Sequence, residues 1–219
     1  MKQIASDDLI PLDLYEDEYP IRVQLDYARA DNLLLGEAVY HQDARLWAHK
    51  DITKIVLKAA QDLHSQHGLR LVIYDCLRTT DAQQAMLETK RVQDNPHWLE
   101  EPRLLSPPGS GAHPRGMAID VALETMGGML LDMGTPFDQM CEDSSPATNR
   151  AHRDHPDLSE AIVHNRSILD GFMLGTAREL GLPLIGLPEE WWDFRFPAEV
   201  YEQYAPISDS DLPEDMRIT

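Results

Sequence analysis

The chain has 219 residues, of which 38 are Asp or Glu and 19 are Lys or Arg, so its formal net charge is -19 at pH 7. This length suits one large domain, and a hydrophobic content of 42% is ordinary for a soluble globular protein. The negative charge argues against nucleic acid or an anionic membrane surface as a partner. No apolar run is long enough to span a membrane.

Residues 1–20 are acidic and lack the apolar segment of a signal peptide. We therefore expect a cytoplasmic protein in which this stretch is an arm on the surface of a single domain spanning 1–219. The two cysteines, Cys76 and Cys141, form no C-x-x-C motif and make no disulfide framework.

The first half of the chain predicts strands and helices in alternation. Alternating apolar and polar residues predict a strand over 21–27, at the edge of a sheet. Apolar residues with the 3.6-residue period predict a helix over 51–68, capped by its Asp and ended by its Gly. Residues 69–74 favour the next strand, and a second helix is expected over 80–95.

The second half predicts an antiparallel pair and one long helix. The apolar run 117–123 is a predicted strand, and the glycine-rich turn after it indicates a hairpin into 130–132. A helix is expected from Ser159 to Gly181. The acidic tail, residues 208–219, is expected to be loose.

Asp120 is the only charged residue of the strand 117–123. An ionised carboxylate buried there would cost several kcal/mol, on the order of the buried-ion penalty, unless a cation or hydrogen-bond donors compensate. His113 lies seven positions upstream, and a loop that doubles back at Gly116 brings its imidazole to the same point. Two interpretations are open: a zinc-like ion held by both side chains, or an Asp that binds loop N–H groups beside a structural His.

A second polar group lies among aromatic residues, in the predicted strand around Trp191-Trp192. Glu190 and Asp193 flank these tryptophans, and polar groups buried beside tryptophans need a partner. Together the two segments offer His113, Asp120 and Asp193 as metal ligands and Glu190 as a general base.

These residues belong to motifs that carry a resemblance. His113 to Asp120 reads H-x-x-G-x-A-x-D, and Glu190 opens E-W-W followed by Asp193. Three more motifs are D-x-x-R at 75–78, M-G-T-x-F-D at 133–138 and N-R-x-x-L at 165–169. In this order, over roughly residues 20 to 200, they resemble the D-alanyl-D-alanine dipeptidases of the vancomycin-resistance type.

The resemblance implies an α+β fold with a central, mostly antiparallel sheet flanked by helices, and a metal site in a cleft on that sheet. It implies hydrolysis of a small dipeptide such as D-Ala-D-Ala, with Zn²⁺ or another divalent metal as cofactor. The residues that it assigns are the metal ligands His113, Asp120 and Asp193, the general base Glu190, the oxyanion-stabilising Arg78, and the substrate-binding Asp75, Asp138 and Ser110.

The sequence departs from the family pattern at two positions. Asp193 stands where the family has its third ligand, a His, and Gly111 stands where the family usually has Ser, with Ser110 beside it. A carboxylate oxygen binds zinc at about 2.0–2.2 Å, so a His/Asp/Asp site is chemically possible. Its extra negative charge makes the metal a weaker Lewis acid and favours harder ions such as Mn²⁺.

Three alternatives stay open. The chain is a metal or peptide binder of the same fold without efficient chemistry, or it hydrolyses another D-amino-acid or cell-wall dipeptide. In addition, His152 or His155, from the polar loop 138–157, could replace the missing His. The sequence does not indicate the oligomeric state.

Overall fold

The protein is described by a computed structural model that covers residues 1–100, 103–141 and 143–219. Numbered along the chain, the strands are β1 (Leu9–Pro11), β2 (Ile21–Val23), β3 (Trp47–His49), β4 (Leu69–Asp75), β5 (Ala118–Thr125), β6 (Ile185–Gly186) and β7 (Asp193–Arg195). The central sheet has the strand order β2-β4-β5-β7-β6, and β1 pairs with β3 in a separate two-stranded sheet. Strands β2 and β4 are parallel, and the other neighbours in the central sheet are antiparallel.

The helices are α1 (Lys50–His67), α2 (Thr80–Glu88), α3 (Lys90–Gln93), α4 (Glu160–Glu179) and α5 (Ala198–Tyr201). Short 3-10 turns occur at Ser6–Asp8, Leu12–Tyr15, Asp26–Ala28, Pro96–Leu99, His113–Arg115, Asp209–Asp211 and Glu214–Met216. Helices and a mostly antiparallel sheet confirm the expected α+β class. Among the described residues, every helix is too short or too polar to cross a bilayer.

The two long helices pack together on the central strands: α1 contacts β4, α4 contacts β5, and α1 contacts α4. Helix α1 ends as predicted at Gly68, whose φ of 65° is the left-handed conformation that glycine favours at a helix end. Its start differs from the prediction, because His49 and not Asp51 occupies the N-cap and accepts a hydrogen bond from the Asp51 N–H. Ser159 caps α4 as predicted.

Several predicted strands are shorter than expected. The first of the central sheet ends at Val23, and the hairpin after β5 closes with a single bridge between Glu124 and Leu130. Trp191 and Trp192 lie in a turn, and the strand begins at Asp193. The turn places both indoles in the core, where their rings meet edge to face at 5.3 Å.

Both terminal segments contact the domain. Leu9 and Leu12 of the N-terminal arm are buried, and β1 ties this arm to β3. In the segment 208–219, Leu212, Met216 and Ile218 are also buried. Burial of these apolar side chains holds both segments on the protein, although their composition is acidic.

Candidate active site

Three carboxylates stand in a row across the central sheet. The register pairs Asp75 of β4 with Asp120 of β5, and Asp120 with Asp193 of β7. Residues directly opposite each other on adjacent strands point to the same face, where like charges repel. All three side chains are buried. The row therefore creates a strongly negative site that needs cations around it.

His113 supplies an imidazole to this row. It opens a 3-10 turn that ends at Gly116, where φ is 60° and an added Cβ would lie 3.1 Å from the His49 nitrogen. Glycine thus lets the chain double back as predicted. The Nδ1 of His113 lies 2.7 Å from the Cys76 carbonyl, which can only accept, so Nδ1 carries the proton. This bond leaves Nε2 to face the carboxylates.

Two carboxylate oxygens converge on that Nε2 atom. Asp193 Oδ2 lies 3.3 Å from it and Asp120 Oδ1 lies 3.6 Å from it. Asp120 Oδ1 is buried and receives no hydrogen bond from the residues that the structure describes. Burial lowers the pKa of His113, but the two carboxylates outweigh it and raise that pKa to about 10. The surroundings of Nε2 thus favour a positive charge, whether a proton or a metal ion.

Asp75 is a second candidate partner of His113 and Asp120, because ligand atoms of these three residues lie within 4.8 Å of one another. However, Asp75 faces Nδ1, which the Cys76 carbonyl occupies. Its two oxygens accept hydrogen bonds from Tyr40 at 2.8 Å and from Arg78 at 2.9 Å. Asp193 is the alternative candidate for the third ligand, since its Oδ2 lies on the Nε2 side, 3.3 Å from that nitrogen.

Asp193 has a strong partner of its own in Arg195. The Nε of Arg195 donates to Asp193 Oδ1 at 2.7 Å, and its Nη2 donates to Oδ2. Burial would raise the pKa of Asp193, but Arg195 and His113 lower it below the usual range. The carboxylate is therefore ionised at every physiological pH.

Glu190 lines the same cleft as His113, Asp120 and Asp193. Burial, followed by the charges of Asp193 and Asp120, raises its pKa to about 7. A carboxyl group with this pKa exchanges protons readily near neutral pH, as a general base must. The loop that carries it is anchored from one side: the Asn149 amide donates to the Glu189 carbonyl at 2.7 Å, and Arg153 Nη2 donates to the Asp193 carbonyl at 3.0 Å.

Arg78 and Asp138 also line the cleft. Arg78 Nη2 lies 2.7 Å from Asp75 and 3.7 Å from Asp120. Asp138 adopts a φ of 58°, which is unusual for a residue other than glycine, and accepts a hydrogen bond from the Tyr27 hydroxyl at 2.6 Å. Burial and the charge of Asp120 raise the pKa of Asp138 well above its usual value.

The cleft between these groups has a volume of about 510 Å³, and Ser110 and Gly111 belong to its wall. His152 and His155 lie elsewhere: Nδ1 of His152 accepts from the Asp154 N–H, and His155 Nδ1 lies 2.8 Å from the Pro146 carbonyl. Among the described residues, neither His152 nor His155 lines the cleft.

The motif N-R-x-x-L at 165–169 has a structural explanation. Asn165 donates to the Asp132 carbonyl, and Arg166 donates to the carbonyls of Met133, Arg150 and His152. These bonds hold the loop 133–138, in which Thr135 accepts a hydrogen bond from the Trp191 indole at 2.9 Å. Helix α4 thereby fixes both segments that carry Asp138 and Glu190.

Sequence reasoning missed Tyr27, Tyr40, Arg153 and Arg195. A signal existed for Arg195, because residues two apart on a strand point to the same face and Asp193 was a predicted site residue. Tyr40 gave no such signal, since 35 positions separate it from Asp75.

The cleft combines a carboxyl group with a pKa near 7, two partly buried arginines and a group of side chains that could bind a metal, and such a combination points to a catalytic site. The sequence profile of the D-ala-D-ala dipeptidase family matches residues 8–210. A D-alanyl-D-alanine dipeptidase from Escherichia coli (strain K12) is 36% identical over 177 residues, which are 81% of this chain and 79% of that protein. The chain therefore belongs to the D-ala-D-ala dipeptidase family, which places it among the peptidases and confirms the resemblance.

Proposed function

We propose that the protein is a metal-dependent dipeptidase that hydrolyses D-Ala-D-Ala or a related D-amino-acid or cell-wall dipeptide in the cytoplasm. The observation that carries this proposal is the convergence of Asp120 Oδ1 and Asp193 Oδ2 on His113 Nε2, 3.6 and 3.3 Å away. Family membership supports the peptidase chemistry.

The residues present fit a divalent metal, because a buried carboxylate oxygen without a donor and a correctly oriented imidazole are the ligands that such an ion requires. His113, Asp120 and Asp193 would hold Zn²⁺ or a harder ion such as Mn²⁺. A bound ion would polarise the substrate carbonyl and lower the pKa of a water molecule.

Glu190 is the proton carrier in this proposal. As a carboxylate it takes a proton from the attacking water, and as a carboxylic acid it gives that proton to the leaving amine nitrogen. A pKa of about 7 lets one group perform both transfers near neutral pH. Arg78 donates hydrogen bonds to the developing oxyanion, and Asp75 and Tyr27 hold its guanidinium in place.

Charged groups restrict the substrate to a dipeptide. Asp138 and Asp75 are assigned to the free ammonium group of the substrate, whose positive charge would favour the ionised form of Asp138 despite its raised pKa. Ser110 lines the cleft and is assigned to the substrate. Buried ionic groups of this kind reject longer peptides, because an internal peptide bond would leave them unpaired.

Metal content of protein purified without added metal tests the proposal, with Asp193→Ala measured alongside. We expect about one equivalent of a divalent metal in the wild type, because three protein ligands hold one ion. We expect the variant to lose this metal. Release of alanine from D-Ala-D-Ala, with L-Ala-L-Ala as the control substrate, then tests the reaction.

Metal binding without hydrolysis of any D-amino-acid dipeptide would favour the non-catalytic binder of the same fold. Protein that neither contains metal nor takes it up on titration would contradict the proposed mechanism.

A further inference from the structure

The two positions at which the sequence departs from the family pattern lie beside one side chain, Arg195. Its Nε and Nη2 bind both oxygens of Asp193. Its Nη1 lies 3.9 Å from the point where a Cβ on Gly111 would be. Gly111 has a φ of 82°, which side chains rarely adopt, so the wall of the cleft stays open next to the guanidinium.

This contact changes the charge of the ligand set. A neutral His as third ligand adds no charge, whereas Asp193 adds one negative charge. Arg195 adds one positive charge within hydrogen-bond distance of it; Asp193 is buried and Arg195 is partly buried, so solvent screens the interaction less than it would at the surface. The four groups His113, Asp120, Asp193 and Arg195 therefore carry a net charge of minus one, as would two neutral imidazoles with one Asp.

We propose that Arg195 is a positioning residue that sets the charge of the metal centre and so offsets the replacement of a ligand His by Asp193. This inference rests on the proposed function, since it requires Asp193 to bind the metal. A guanidinium bound to the ligand carboxylate would reduce the negative charge that this carboxylate donates to a metal ion. Metal binding would then be weaker, but the ion would stay a strong Lewis acid.

A purely structural role makes the opposite prediction for metal affinity. If Arg195 only held Asp193 in place, its removal would free the carboxylate to move and would weaken metal binding. If Arg195 cancels charge, its removal exposes the ion to a full negative charge and strengthens binding. The sign of the change therefore separates the two roles.

The experiment is competition for Zn²⁺ between metal-stripped protein and a chromophoric chelator, at fixed pH and ionic strength. We expect Arg195→Gln to bind Zn²⁺ at least about tenfold tighter than the wild type, because a buried unit charge near the ion has been removed. Arg195→Lys keeps the positive charge, so its affinity for Zn²⁺ should stay within about threefold of the wild type, although Lys lacks the paired donors of a guanidinium. At saturating Zn²⁺, kcat should fall in Arg195→Gln and recover in Arg195→Lys.

A second background keeps the inference testable if Arg195→Gln is unstable. In Asp193→His, the guanidinium of Arg195 stays near the metal site but has lost the carboxylate that it binds. The double variant Asp193→His/Arg195→Gln also removes this guanidinium. We expect the double variant to bind Zn²⁺ more tightly than Asp193→His. Far-UV circular dichroism confirms folding of each variant.

Equal or weaker Zn²⁺ binding by Arg195→Gln, with the wild type binding Zn²⁺, would overturn the role of Arg195 and leave the proposed function intact. Failure of the folded wild type to bind any divalent metal would overturn the proposed function and this inference together.

Discussion

Arg166 offers a sharp test of how the scaffold holds the site. Its side chain is 5% exposed in the middle of α4. Nε and Nη2 donate to the Met133 carbonyl at 2.9 and 2.7 Å, and two further bonds of 2.8 Å reach the carbonyls of His152 and Arg150. Burial, followed by the charge of Arg153, lowers the pKa of Arg166 to about 10, so the group is charged at neutral pH.

Arg166→Met keeps most of the apolar stem and removes these donors. The carbonyl groups of Met133, Arg150 and His152 lose a charged partner, and Arg150 and His152 flank Ala151, which lines the cleft. We expect a loss of about 3–5 kcal/mol in the free energy of unfolding, by analogy with breaking a buried charged network. For a domain of this size, such a loss lowers Tm by roughly 6–20 °C.

Urea unfolding and thermal unfolding, both followed by circular dichroism, measure this loss. Arg178→Met is the matched control, because Arg178 lies on the same helix, is exposed, and bonds only to the Leu174 carbonyl within its own helix among the described contacts. The control should change stability by less than about 0.5 kcal/mol. A loss below about 1 kcal/mol for Arg166→Met would refute the view that this side chain holds the loops.

Two further predictions concern carboxylates. Glu190→Gln should lower kcat/KM by about 100- to 10,000-fold, which is the range of general acid–base catalysis. The control variant Glu189→Gln, at the neighbouring position, should leave turnover unchanged. Full activity of Glu190→Gln would rule out the proton-carrier role. Burial raises the pKa of Glu124, but hydrogen bonds from Arg22 and Arg70 outweigh this and lower it. Since the folded pKa lies below the unfolded value, Glu124 stabilises the fold above about pH 4.5 and this contribution is lost as the pH falls through the folded pKa. Glu124→Gln should therefore cost about 1–3 kcal/mol at pH 7, and the difference from wild type, measured by urea unfolding, should shrink towards pH 3; a difference independent of pH would contradict this assignment.

Local patterns in the sequence predicted most elements near their observed places. The apolar period of α1 and the glycine after it fixed the end of that helix, because helical periodicity and glycine capping depend only on neighbouring residues. The strand around Asp120 was likewise visible as an apolar run with one carboxylate. The start of β7 was predicted less well: the strand was expected around Trp191-Trp192 but begins at Asp193. Aromatic residues favour strands, but they can also fill the core from a turn.

The composition of the site also came from the sequence. His113, Asp120, Asp193 and Glu190 stand out in the sequence because polar groups in apolar surroundings need a partner or a ligand. The structure brings Asp120 and Asp193 within 3.6 Å of the Nε2 of His113. Their roles as ligands remain predictions that the metal experiments test.

Tertiary structure alone decided how these groups are paired. A register shift between Ile73 and Asp75 aligns Asp75 with Asp120, and strand pairing then adds Asp193 to the row. Register between distant strands depends on contacts across the whole sheet, which no local pattern encodes. The sequence by itself predicted the imidazole and the carboxylates of the site, whereas packing determined that Arg195 binds Asp193 and that Tyr40 binds Asp75, because those partners meet only after the chain has folded.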